Sequence, residues 1–188
     1  MTNQRFPGAH AQDGAEHEAV VAERVAALVG FPGAGKTTVG RALQTKFGWR
    51  WVDLDTEIER RAGTSVTSII RVEGEQRFRD LEQQTLQEVL NWPLDVLSLG
   101  GGALLRQASL RELRKRTVII HLAVELDSAV ERVLADESAA ACRGHQPLRP
   151  LLRTGEGLLL RHEIRSNLER LMEARRGIFD AADVTIVT

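Results

Sequence analysis

The segment Gly30–Thr37 reads G-F-P-G-A-G-K-T and satisfies the pattern G-x-x-x-x-G-K-[ST] in full. It leaves the surrounding chain little freedom. Arg24–Val29 (R-V-A-A-L-V) is short and apolar, as a buried parallel strand requires. Thr38–Phe47 continues as a helix with Val39, Leu43 and Phe47 at i, i+4 and i+8. Strand, glycine loop and helix N-terminus then aim backbone N–H groups at one point, an anion cradle. Gly33 and Gly35 let the backbone wrap a phosphate without a Cβ in the way. Lys36 has the reach for β- and γ-phosphates, and the Thr37 hydroxyl suits Mg²⁺. The expected nucleotide contacts are therefore Gly33, Ala34, Gly35, Lys36, Thr37 and Thr38, and the flanking strand and helix argue against a plain glycine-rich turn.

Composition narrows the partners. A chain of 188 residues with 43% hydrophobic content suits one domain with a sizeable core, and a formal net charge of −1 gives no reason to expect nucleic acid or an anionic membrane. The 25 basic residues include only three lysines, Lys36, Lys46 and Lys115, so one of the three sits in the phosphate loop. The rest are arginines, the side chain suited to bidentate contact with carboxylates and phosphates. A single cysteine, Cys142, allows no internal disulfide and fits a reducing cytoplasm. No apolar run reaches the roughly 18 residues of a membrane span. Residues 1–22 are small and polar without period, and are expected to form a flexible extension ahead of a domain over 23–188.

Beyond the loop, strand and helix alternate. Strands are expected at Arg50–Asp53, Asp95–Leu99, Thr117–Leu122 and Asp183–Val187. Helices are expected at Thr56–Ala62, Val66–Val72, Glu75–Asn91, Ser109–Arg116, Leu126–Ala135 and Leu158–Arg176, with a long irregular segment over Glu137–Gly157. Near-continuously apolar strands separated by helices make an α/β fold, a five-stranded parallel sheet flanked by helices on both faces. Ligands in such sheets bind outside the strand carboxyl ends.

Three clusters fall there. Asp53-Leu54-Asp55 follows the second strand, and both carboxylates project to one side if the extended conformation persists. One then serves the Mg²⁺ shell and the other orients a hydroxyl nucleophile or accepts its proton; the plain alternative is Asp55 as a helix N-cap. Gly100-Gly101-Gly102 follows the third strand and suits main-chain approach to a ligand. Ser98, just before it, is either a hydroxyl of the Mg²⁺ shell or a satisfied core group. In Glu73–Arg79 (E-G-E-Q-R-F-R), the spacing of Glu75, Arg79 and Glu82 reads by itself as a solvated helical charge pair.

Together these elements resemble the shikimate kinases, P-loop NTPases of the nucleoside-monophosphate-kinase type with a mobile lid. The match runs from Val25 to about Val187. It comprises G-x-x-G-x-G-K-T at Gly30–Thr37, D-x-D at Asp53–Asp55, E-G-E-x-x-F-R at Glu73–Arg79, L-G-G-G at Leu99–Gly102 and R-P-L-L at Arg149–Leu152. The resemblance implies ATP- and Mg²⁺-dependent phosphorylation of the shikimate 3-hydroxyl in aromatic amino acid biosynthesis, by a cytoplasmic monomer. It implies roles as well. Asp55 holds the reacting hydroxyl, and Thr37 and Asp53 serve the metal. Arg79 and Arg175 bind the shikimate carboxylate, Gly101 and Gly102 approach it through backbone, and Glu82 supports the arginines. Arg149 arrives from a lid over about 137–157 to join Lys36 at the transferred phosphate.

The chain departs from the family pattern in places. Where R-x-P-L-Y is usual, it reads Arg175-Arg176-Gly177-Ile178-Phe179, so Arg176 competes with Arg175 for the second carboxylate contact. The lid segment is long, with Arg143, Arg149 and Arg153 in it. Family members usually continue past the last strand into an adenine-contacting loop and a helix. This chain stops at Thr188, which leaves weaker adenine contact and uncovered apolar surface as expectations. Two other readings compete: another small-molecule P-loop kinase, such as a gluconate kinase, and a non-catalytic sensor domain of the same fold.

Overall fold

The computed structural model describes residues 24–142, 160–175 and 177–188. The extension over residues 1–22, the part of the lid that carries Arg143, Arg149 and Arg153, and Arg176 lie outside the described residues. Five strands, β1 (Val25–Val29), β2 (Trp51–Asp53), β3 (Val96–Ser98), β4 (Thr117–Ala123) and β5 (Val184–Val187), form one sheet in the order β2-β3-β1-β4-β5. Every pairing is parallel. The most uniformly apolar strand, V-A-A-L-V, takes the centre, where both faces are covered. Leu28 lies opposite Ser98, Ser98 opposite Asp53, and Val29 opposite His121, so β1, β2 and β3 end close to level along one edge while β4 runs on to Ala123. The chain leaves β1 toward β2 and later crosses to β4 on the other side, and this reversal opens a crevice beside β1.

Helices cover both faces unequally. Val25, Ala27 and Val29 join Leu97, Leu99 and Ile119 in one apolar cluster. On that face it meets Leu54 and Ile58 of α2 (Leu54–Ala62), Ile69 of α3 (Val66–Glu73), Phe78 and Leu86 of α4 (Glu75–Val89) and Leu113 of α5 (Gln107–Arg116). A second, smaller cluster joins α6 (Leu126–Cys142) to α7 (Arg161–Ala174) through Ala129, Val130, Val133, Ile164 and Leu168. The opposite face is met by α1 (Lys36–Phe47), whose one buried residue is Gly40. There a Cβ would lie 2.1 Å from Trp51 Nε1, so the bare glycine lets the indole slide beneath the helix. The indole nitrogen donates to Ser98 Oγ at 2.9 Å, and that hydroxyl reaches the Lys36 carbonyl at 3.4 Å. Ser98 is therefore the satisfied core hydroxyl of the two readings, and it ties β2 and β3 to the start of α1.

Four expectations change. Phe47 does not complete a buried stripe: it is 56% exposed and lies against Trp49, because Gly40 rather than the apolar positions makes the close contact. Extended backbone ends at Asp53, since α2 begins at Leu54. The N-cap is Asp53 and not Asp55, its Oδ1 accepting from Thr56 N at 3.3 Å. Finally, α6 runs to Cys142, so the irregular segment starts later than Glu137. Asp136–Cys142 (D-E-S-A-A-A-C) holds three alanines and no glycine or proline, and alanine is the strongest helix former. Along β5, Val184, Ile186 and Val187 are exposed. Among the described residues, no helix is long and apolar enough to cross a membrane.

Gly40→Ala forces either Trp51 or α1 to move, an overpacking cost of about 1–3 kcal/mol. Urea denaturation of the variant is expected to show a lower midpoint by that amount, with a changed tryptophan emission as the Trp51–Ser98 bond is lost. An unchanged midpoint would show that the helix rides freely over the sheet.

Candidate active site

The phosphate loop takes the shape its glycines permit. Gly33 and Gly35 have φ of 81° and 84°, values that L side chains resist, and a Cβ on Gly33 would also lie 2.9 Å from Ala129 Cα. The Ala34 amide donates inward to the Phe31 carbonyl at 3.1 Å, which closes the turn. Lys36 Nζ donates to the carbonyls of Gly30 at 2.8 Å and Phe31 at 3.2 Å, holding its ammonium across the loop mouth. Thr37 and Thr38 follow in the first turn of α1, both exposed. Behind the loop stands a residue that the sequence pattern did not single out. Arg132 of α6 donates to the Gly33 carbonyl at 3.1 Å and to Thr188 Oγ1 at 3.3 Å. Neither spacing nor motif marks it, because its partners lie 99 and 56 residues away.

Thr37 and Asp53 meet as the metal reading requires. Thr37 Oγ1 donates to Asp53 Oδ2 at 3.0 Å, joining the start of α1 to the end of β2. A hydroxyl and a carboxylate are hard oxygen donors, and both lie beside the phosphate cradle, so the pair fits Mg²⁺, which keeps most of its ligands as water and phosphate oxygens. Among the described residues no group of three or more His, Cys, Asp or Glu side chains converges on a metal point.

Beside this pair, four charged side chains close on Gly100–Gly102. A Cβ on Gly100 would lie 3.2 Å from Asp55 Oδ1 and 3.4 Å from Glu82 Oε1. One on Gly101 would lie 3.3 Å from the Gly30 carbonyl and 3.4 Å from Arg175 Nη1, and one on Gly102 only 2.6 Å from Arg79 Nη1. Side chains at these positions would crowd the charged groups around them, most of all at Gly102. Asp55, Arg79, Gly101, Gly102 and Arg175 do come together, against the phosphate loop and with Glu82 among them.

Arg79 and Glu82 are only 7% and 3% exposed, so the reading of a solvated pair from spacing fails. That spacing fits a helix face turned inward as well as one turned to water. Arg79 Nη1 donates to Glu82 Oε2 at 2.9 Å, and its Nε and Nη2 donate to Glu75 Oε1 at 3.3 and 3.0 Å. Glu82 Oε1 and Asp55 Oδ1 are buried without a hydrogen-bond partner. Burial, then the charges of Asp53 and Glu82, push the Asp55 carboxyl from its ordinary 3.8 up to about 7, against the pull of Lys36. Burial also raises Glu82, opposed chiefly by Arg79. Arg175 is held below the usual guanidinium value, by burial first and by Arg79 second. Two cations that repel each other in a half-buried cleft, next to carboxylate oxygens lacking donors, make a site built for an anionic, hydroxyl-bearing molecule.

A sequence model of the shikimate kinase family matches residues 32–188. Shikimate kinase of Persephonella marina is 35% identical over 161 residues, covering 86% of this chain and 87% of that protein. Shikimate kinase of Thermobifida fusca is 43% identical over 121 residues, 64% of this chain and 70% of that protein. Among solved structures, shikimate kinase from Acinetobacter baumannii in complex with shikimate is similar with a TM-score of 0.74 and 31% identity, covering 91% of this chain and 87% of that one. The enzyme from Bacteroides thetaiotaomicron is similar with a TM-score of 0.71 and 28% identity, covering 87% and 86%. With the phosphate loop, the parallel sheet and the charged cleft in place, this chain belongs to the shikimate kinase family.

Proposed function

We propose that the protein transfers the γ-phosphoryl group of ATP to the 3-hydroxyl of shikimate, giving shikimate 3-phosphate and ADP. Two guanidiniums and a buried carboxyl of raised pKa, gathered beside a phosphate loop, carry this reading: they match a substrate with one carboxylate and a reactive hydroxyl. Arg79 and Arg175 bind the carboxylate, and planar forks suit it better than an ammonium does. Gly101 and Gly102 lend backbone to the ring, and Asp55 takes the hydroxyl.

The hydroxyl oxygen then forms a bond to the γ-phosphorus while the bond to the β,γ-bridging oxygen breaks and ADP leaves. The hydroxyl proton passes to Asp55, whose raised pKa makes it an apt acceptor near neutral pH. Gly33, Ala34, Gly35 and Thr38 line the phosphates, and Lys36 neutralises charge on the moving group together with Arg149, assigned from its R-P-L-L motif. Thr37 and Asp53 would hold Mg²⁺, which would supply neutralisation of phosphate charge. On this reading the protein is a cytoplasmic monomer that acts on small molecules, without nucleic acid or membrane as partner. The net charge of −1 supports the absence of polyanionic partners and the single cysteine supports the compartment. A gluconate kinase would share the phosphate loop without this set of glycines and paired arginines, and a sensor domain would have no use for Asp55 poised near neutrality.

Coupled ADP release with shikimate, quinate and gluconate tests the reading. Turnover with shikimate and none with gluconate is expected, whereas gluconate turnover or none at all would reject it. In the same assay Arg79→Lys keeps charge and loses the fork. It should raise the shikimate KM about tenfold or more with the ATP KM unchanged, as expected for a charged hydrogen bond of roughly 1.5–3 kcal/mol. Equal effects on both KM values would assign Arg79 to structure alone.

The pH response follows from Asp55. kcat/KM for shikimate is expected to rise as pH climbs through about 7, since the base must be ionised. Stability runs the other way. The folded-state pKa lies above the unfolded 3.8, so the ligand-free protein is favoured fully below about 4 and loses that stability as pH rises through about 7. Asp55→Asn should flatten this slope in thermal melts and cut turnover by about 10²–10⁴. An unaltered rate profile would remove Asp55 from proton transfer.

A further inference from the structure

Arg175 sits at the C-cap of α7, and the next described element is the 3₁₀ turn Ile178–Ala181. The turn that follows is tied to the sheet at two points. Asp183 N donates to the Ile119 carbonyl at 2.8 Å, and Ile119 N donates back to Asp183 Oδ2 at 2.8 Å. Two residues farther along β4, on the same face of the strand, the His121 ring lies flat on Phe179, with centroids 4.2 Å apart and an interplanar angle of 11°. Phe179 belongs to a 3₁₀ turn, Ile178–Ala181, that starts at Gly177 and is closed onto Arg175 by Ile178 N donating to its carbonyl at 3.1 Å. Phe31, from the phosphate loop, makes a T-shaped pair with Phe179, with centroids 5.0 Å apart and an interplanar angle of 87°. These three rings and Arg175 line one cavity of about 430 Å³.

We infer that His121 is a positioning residue for the shikimate carboxylate: by stacking on Phe179 it sets the turn that presents Arg175 to Gly101. The role is that of a flat ring rather than of a base. Among the described residues its Nε2 is buried without a hydrogen-bond partner, a cost that a polar side chain bears and a phenyl ring would not. Burial and the charge of Lys36 hold the imidazole below its ordinary pKa, so it meets Phe179 as a neutral ring. Offset ring pairs of this kind contribute beyond their buried area, and a displaced guanidinium fork loses its directed contacts quickly. The inference rests on the reading of Arg175 as the second carboxylate contact.

Steady-state kinetics on His121→Ala, His121→Phe, Arg175→Ala and the double variant His121→Ala/Arg175→Ala separate the possibilities. His121→Ala is expected to raise the shikimate KM roughly three- to tenfold, with kcat and the ATP KM little changed. His121→Phe should keep the native KM and serves if the alanine variant folds poorly. On the Arg175→Ala background, removing the imidazole should add nothing. A KM raised by His121→Phe as strongly as by alanine would overturn the inference, because a nitrogen and not a ring face would then be in use. So would an additive double variant, or a His121→Ala that leaves KM unchanged while Arg175→Ala raises it. If Arg175→Ala itself leaves the shikimate KM unchanged, the assignment of Arg175 fails instead, and the inference with it.

Discussion

The Arg79–Glu82 pair is the contact on which the rest of the site depends. Taking two charges out of water costs several kcal/mol each, and their attraction offsets that only with good geometry and further polar partners. Here both lie on one helix, three residues apart, under the loop after β3. Their presence dictates what may stand above them. A side chain at position 102 would collide with the guanidinium, and one at position 100 would crowd the carboxylates of Asp55 and Glu82. The glycine run answers this buried charge. Glu82 in turn holds Arg79 by one oxygen and leaves the other end of the fork to Glu75 at the more exposed rim.

The sheet supplies the rest by register alone. With β1 central and this register, Gly30, Asp53, Gly100 and His121 arrive at one edge from four strands. α1 is pinned to this edge through Gly40, Trp51 and Ser98, which ties the phosphate loop and the Thr37–Asp53 contact to β2 and β3. On the β4 side the Asp183–Ile119 bonds and the stacked rings do the same for Arg175. Phe31 touches the second group from within the first.

Much of this was legible in the residues, and the limits have physical causes. The loop, the strands and their parallel arrangement were readable because each rests on local signals: glycines at fixed offsets, short apolar runs, a helix start. The motif offered the phosphate-loop residues and Asp53 and Asp55 as candidates, whereas Arg79, Arg175 and Arg149 were proposed only through resemblance. Spacing could not tell that Arg79 and Glu82 face inward, since the i, i+3 geometry is the same on either side of a helix. It misjudged Asp53-Leu54-Asp55 because Asp53 caps α2 at once, and a helical turn, not strand alternation, then aims Asp55. The irregular segment was begun too early because its first residues, rich in alanine, extend α6. Arg132 and His121 had no signal at all. Their partners come from distant elements, and only folding brings them near.

A structure of the protein with shikimate and MgADP bound tests the central claim most directly. The account places the shikimate carboxylate on the guanidiniums of both Arg79 and Arg175, its 3-hydroxyl on Asp55, and the main chain of Gly101 and Gly102 along its ring. A carboxylate seated away from that pair of arginines, or a 3-hydroxyl directed away from Asp55, would contradict it.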